Sequence, residues 1–249
     1  MAFMAATSIS TPGSSMTSMP MEKRIGSATV VLKGEDRVFS LGASIGGEDV
    51  HFVGVADGHG GLAAAEFCSK WALSHVVTEA AGDPSAGSLQ KACTRAFHRL
   101  NEEVQKSLGT AGTTLTVVAI NEVRGELTIA HVGDSDAVLI ADLTHTILCK
   151  PHRLDDSQSE RDRVTSQGLT IAQGMNGQGL PRGPLRAWPG GLAVARSIGD
   201  ADCPAAWAEP SVSSLTYGTA RACALSASPP FEPDALLTAL TLLCPDNCH

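Results

Sequence analysis

The sequence predicts an α+β fold built on antiparallel sheet. Strand patterns and helix patterns come in blocks instead of alternating singly, which argues against a doubly wound fold. Two amphipathic helical stretches stand side by side, each with one apolar face to cover something. Tight-turn signals separate the strand patterns that follow them. At 249 residues, 43% hydrophobic and 18% charged, the chain is long enough for one large core.

The first 20 residues, "MAFMAATSISTPGSSMTSMP", carry no charge and are rich in Ser, Thr and Met. They read as part of a disordered tail over 1–24. A transit peptide would want arginines along its length, and only Lys23 and Arg24 stand nearby. "SATVVLKGEDRVFSL" alternates around Gly34, Glu35 and Asp36 and predicts two short strands meeting at a turn. Val50–Ala56 reads as a buried strand. Ala64, Phe67, Cys68, Trp71 and His75 then repeat at helical spacing until Gly82, Asp83 and Pro84 end the helix. A second helix carries Leu89, Cys93, Ala96, Phe97, Leu100 and Val104 on one face and stops at Gly109. "GTTLTVVAI", "NEVRG" and "ELTIAHVGDSDAVLIAD" read as a β-meander. A helix over 157–167 starts behind Asp155 and Asp156 and ends at Gly168. Residues 171–191, rich in Gly and Pro, are expected to be loop, and "GLAVARSIGD" resumes order.

Composition narrows the function. The formal net charge is −8 and no Lys/Arg cluster occurs, so a nucleic acid partner has no electrostatic footprint. No apolar run approaches the ~18 residues of a membrane span, and a soluble protein without membrane contact is expected. Seven scattered cysteines suit a reducing compartment, the cytoplasm or nucleus, with an organelle as the lesser alternative. Cys244, Cys248 and His249 have the wrong spacing for haem attachment and lack a second pair for zinc.

The stretch "GVADGHGG" concentrates the chemistry. Gly-x-Gly-x-x-Ala over 58–63 is formally a dinucleotide fingerprint. Asp57 opposes that reading, because its carboxylate would repel a pyrophosphate, and another helix follows where a parallel crossover should begin. A carboxylate at a strand end, followed by a glycine whose carbonyl can approach a cation, suits a hard divalent ion instead. Oxygen ligation favours magnesium or manganese over zinc. Glu35, Asp36 and Asp134 are further acids at strand ends. Each alone is also a good turn or hairpin residue.

Together, "KGEDR", "VGVADGHGG", "GTTLTVVAI", "HVGDSDAVL", "PHRLDD" and "GGLAVARSIGD" resemble the metal-dependent Ser/Thr protein phosphatases of type 2C, especially plant-type members. The resemblance runs from about residue 27 to about residue 228. It implies a β-sandwich of two antiparallel sheets flanked by antiparallel helix pairs, with a dinuclear magnesium or manganese site at one end. It further implies that Asp57 bridges the metals, that Gly58 offers its carbonyl and that Glu35 completes one shell. Asp134 would help hold a third ion, Asp36 would support the shell, and His59 would be the general acid for the leaving seryl or threonyl oxygen. Phosphorylated proteins are the implied substrates, and a monomer is expected.

Several positions depart from that pattern. Residue 136 is Asp where the family usually carries Arg. The phosphate-binding arginine would fall at Val31, which leaves Lys33 as the nearby cation. After Ser228 the family's Ser-Asp-Gly-x-Trp-Asp is replaced by Pro229 and Pro230, and the remaining aspartates, Asp234 and Asp246, lie outside any matching motif. The expectation is a phosphatase domain over 25–228, incomplete at its C-terminal end and lacking its last strands, with a divergent tail over 229–249. One metal site would then be short of ligands. The alternative is a catalytically impaired relative that binds phosphoproteins or kinases.

Overall fold

The computed structural model describes residues 2–7, 25–29, 34–141, 144–217 and 222–227. In chain order the elements are β1 (Ala2–Thr7), β2 (Ile25–Thr29), β3 (Asp36–Ile45), β4 (Glu48–His59), α1 (Ala63–Ala80), α2 (Ala86–Leu108), β5 (Gly112–Thr113), β6 (Leu115–Asn121) and β7 (Glu126–Val132). They continue with β8 (Asp136–Ala141), β9 (Thr144–Ile147), α3 (Gln158–Ser166), β10 (Thr170–Met175), β11 (Pro181–Trp188), β12 (Ile198–Gly199), β13 (Ser211–Thr216) and β14 (Ala222–Ser226).

One sheet runs β12-β5-β4-β6-β7-β13, with β3 also paired to β4; the other runs β2-β1-β14-β8-β9. The registered pairs are antiparallel, as the blockwise pattern predicts. Side chains alternate across a strand, and that alternation builds two cores. Val53 and Val55 of β4, with Val118, Ile120, Leu127 and Ile129, meet Ala137, Cys223 and Leu225 of the second sheet. Phe52 and Ala56 point the other way and join Cys68, Phe97 and Leu100 beneath α1 and α2. Each such buried Leu or Phe contributes about 1.5–3 kcal/mol relative to exposure.

All six residues expected on the α2 face are buried. On α1 the buried stripe is Ala64, Ala65, Cys68, Ala72, Leu73, His75, Val76 and Ala80, while Trp71 is 40% exposed. The small residues are buried because the helix lies close against the sheet, which leaves no room for an indole. Ser157 caps α3, accepting from Glu160 N–H at 3.4 Å.

Four expectations change. "GEDR" does not join two paired strands: β3 forms its hairpin with β4 through Gly46 and Gly47, both at positive φ (59° and 84°), as a tight hairpin turn demands. The meander breaks after β7, where the chain crosses at Gly133 (φ 94°) to the other sheet and β8 pairs with β14. Residues 170–188 form the hairpin β10–β11, turned by Asn176, whose side-chain oxygen accepts from Gln178 and Leu180 N–H. Ala2–Thr7, read as tail, is a strand beside β14; its uncharged, mostly apolar residues suit a strand. Residues 8–24 and the expected tail over 229–249 lie outside the described residues. Cys68, Cys93, Cys149, Cys203 and Cys223 are buried free thiols. Among the described residues no helix is long and apolar enough to cross a membrane.

Candidate active site

Alternation along β4 carries Asp57 to the same face as Val53 and Val55, at the end of the core packed between the sheets. Asp36 is its direct partner in the β3 ladder, and partners in an antiparallel pair share a face. The two carboxylates are therefore neighbours. Gly58 faces the helices. A Cβ there would stand 2.9 Å from the Glu35 carbonyl oxygen and 3.2 Å from Ala65 Cβ, so the close approach of the Glu35 backbone, with α1 packed tightly behind it, favours glycine. Its N–H donates to that Glu35 carbonyl at 3.3 Å, which ties Glu35 to the same strand end.

The backbone of Asp57 is pinned on both sides. Its N–H donates to Thr114 Oγ1 at 3.0 Å, and its carbonyl accepts from Thr114 N–H at 2.9 Å and the Thr113 hydroxyl at 3.0 Å. The Thr114 and Ser135 hydroxyls are 2.7 Å apart, and Ser135 donates to the Ala227 carbonyl at 2.8 Å. Each hydroxyl has one proton to give, so the chain runs in one direction from Asp57 to the end of β14. Thr114 and Ser135 were not singled out from the sequence, although both lie inside quoted motifs.

Asp134 sits in the turn that leaves β7 and is 8% exposed. Arg153 Nη1 donates to its carboxylate at 2.8 Å. His152 holds the turn: its Nδ1 accepts from Gly133 N–H at 3.1 Å, and its Nε2 stands 2.8 Å from Ser211 Oγ. Since Nδ1 accepts, the proton is on Nε2. The His131 ring stacks on it at 4.5 Å. Burial lowers both imidazoles, to about 4 for His131 and about 2 for His152, with neighbouring positive charge in the same direction.

His59 ends β4, and its Nε2 lies 2.9 and 2.8 Å from the two carboxylate oxygens of Asp200. Burial works to lower its pKa. The Asp200 hydrogen bond and the charges of Asp200, Asp57 and Asp134 outweigh burial and raise it above the usual imidazole value. The charges of Asp57 and Asp134 thus reach the His59 ring. Lys33 lies outside the described residues. The remaining aspartates of the C-terminal region, Asp234 and Asp246, do so too.

Carboxylate oxygens are the right donors for a hard divalent ion. Among the described residues, however, no three acidic, histidine or cysteine side chains converge closely enough to hold one. Among the described residues the donor chemistry fits a metal in kind and falls short in number.

The family profile described as "Protein phosphatase 2C" matches residues 30–225. The chain belongs to the protein phosphatase 2C family. A rice relative named "Probable protein phosphatase 2C 15" is 34% identical over 190 residues, covering 73% of this chain and 42% of its own length. An Arabidopsis thaliana relative of the same name is 36% identical over 200 residues, covering 73% of this chain and 44% of its own. The chain thus spans less than half the length of these plant relatives. Among solved structures, the serine-threonine phosphatase 2C from Toxoplasma gondii aligns with a TM-score of 0.61 at 20% identity, over 75% of this chain and 71% of the other. That likeness shows the fold, a mixed α+β architecture with antiparallel sheets. The dinucleotide reading fails on the same geometry, because β4 lies in an antiparallel sheet and α1 leads into α2.

Proposed function

We propose that this chain carries the reactive end of a protein-serine/threonine phosphatase that hydrolyses phosphoserine and phosphothreonine in proteins. The observation that carries the reading is the strand end itself: Asp57, the Gly58 carbonyl and the His59 imidazole in succession, with Asp36 facing Asp57 and Glu35 tied to Gly58. Asp57, Glu35 and the Gly58 carbonyl would hold magnesium or manganese, with Asp134 at a weaker position. Such ions, when bound, supply a more acidic water and neutralise phosphate charge. Its acidic neighbours favour the protonated His59 imidazole, which would give its proton to the leaving seryl or threonyl oxygen. Phosphoproteins are the proposed substrates, acted on by a monomer in the cytoplasm or nucleus. Lys33 would supply the cation nearest the phosphate.

A second reading, a non-catalytic member that binds phosphoproteins or kinases, is favoured by the Asp134–Arg153 pair. There a guanidinium already neutralises the carboxylate meant for an ion. Hydrolysis of a phosphothreonine peptide with and without manganese separates the two. Manganese-dependent turnover is expected, and none from a folded chain would leave the binding role.

A further inference from the structure

Asp200 is the residue around which the rim beside His59 is built. It is 3% exposed and holds a left-handed backbone (φ 51°) that non-glycine residues rarely adopt. Its N–H donates to the Ala111 carbonyl at 3.2 Å, and Ser197 Oγ donates to its carboxylate at 2.6 Å. Room for it comes from Gly112, where a Cβ would fall 2.2–2.3 Å from the carboxylate atoms. The row His59, Gly112, Gly199 crosses β4, β5 and β12 in register, and this places Asp200, the next residue, over the imidazole. A strained backbone, a bare neighbour and a hydroxyl anchor all serve one carboxylate.

We propose that Asp200 is a positioning residue for proton delivery: it fixes the His59 ring through Nε2 and leaves Nδ1 as the nitrogen that serves the substrate. A carboxylate can only accept, so Nε2 must donate to it. In the reaction a water oxygen forms its bond to phosphorus as the bond from phosphorus to the threonyl oxygen breaks. That oxygen takes the Nδ1 proton, and the imidazole left behind is neutral and still carries Nε2–H toward Asp200. The proton shed by the attacking water passes to solvent.

The proposal rests on His59 being the proton donor, and the test keeps the two apart. Nitrogen-15 NMR of the full chain reads the His59 tautomer without any turnover. The neutral ring is expected as Nε2–H in the wild type, with a mixture of tautomers in Asp200→Gly, a variant suited to the positive φ. Turnover is then compared on two substrates. For Asp200→Asn, phosphothreonine peptide hydrolysis should fall roughly 10- to 100-fold, while p-nitrophenyl phosphate, whose leaving group needs little protonation, falls less than about threefold. Equal losses on both substrates, or an unchanged tautomer in Asp200→Gly, overturn the proposal. If the wild type hydrolyses neither substrate, the phosphatase reading fails and the tautomer alone decides what Asp200 does.

Discussion

Two imidazole sites at the same end of the sandwich behave in opposite ways. His59 is partly open, faces Asp200, and has its pKa raised. His152 is enclosed, stacks on His131, accepts from Gly133 N–H, and is pushed down to about 2. The first ring has its protonated form favoured by the carboxylates around it. The second must stay neutral, because a proton on Nδ1 would cancel the bond that holds the Asp134 turn. Surroundings, not residue type, decide which histidine is chemical and which is structural.

The comparison breaks most clearly by truncating each ring. His59→Ala should cut phosphothreonine hydrolysis roughly 10²- to 10⁴-fold, and it should also cost stability because the buried Asp200 carboxylate loses its imidazole partner. His152→Ala should lower stability by about 1–3 kcal/mol by stranding the Gly133 N–H, with a much smaller effect on turnover. Paired kinetics and urea denaturation check both halves.

A smaller effect is the pH dependence. The folded pKa values of His131 and His152 are depressed, so below pH 6.5 the unfolded chain binds more protons than the fold. Their contribution is complete above 6.5 and is lost as pH falls, toward about 4 for His131 and toward about 2 for His152. His59, with a raised pKa, has the opposite sign: its contribution is present below 6.5 and lost as pH rises through the raised value. Between about pH 7 and about pH 5 the wild type should lose on the order of 2 kcal/mol more stability than His131→Phe, read from urea midpoints.

Gly112→Ala probes the His59 side alone. The new methyl must displace the Asp200 carboxylate, which should cost about 1–3 kcal/mol of stability by overpacking. The same variant should lower phosphothreonine turnover more than p-nitrophenyl phosphate turnover.

The smallest expected effect is at the other rim. Arg153 is about one-third exposed, so Arg153→Ala should cost no more than about 1 kcal/mol of stability. Freed of its guanidinium, Asp134 should bind manganese more tightly, as a calorimetric titration can measure.

Much of this was legible in sequence because its signals are local. The α2 stripe, the Ser157 region as a helix start and the strand ending at Asp57 are all set by period and capping. The β10–β11 hairpin was not, since its strands are largely exposed and interrupted by Gly and Pro, which erases alternation. The crossing at Gly133 was not either, because strand pattern does not name a partner sheet. Of the site, Asp57, Gly58, His59, Glu35, Asp36 and Asp134 lie in short motifs. The pairing of His59 with Asp200 spans 141 residues and depends on the register of β12, β5 and β4, which no local pattern carries.

The most direct measurement sets manganese binding beside phosphothreonine hydrolysis for the wild type, Asp57→Asn and His59→Asn. Asp57→Asn should lose both manganese binding and turnover, whereas His59→Asn should keep manganese binding and lose turnover. Wild-type hydrolysis by Asp57→Asn would contradict the assignment of this strand end as the reactive centre.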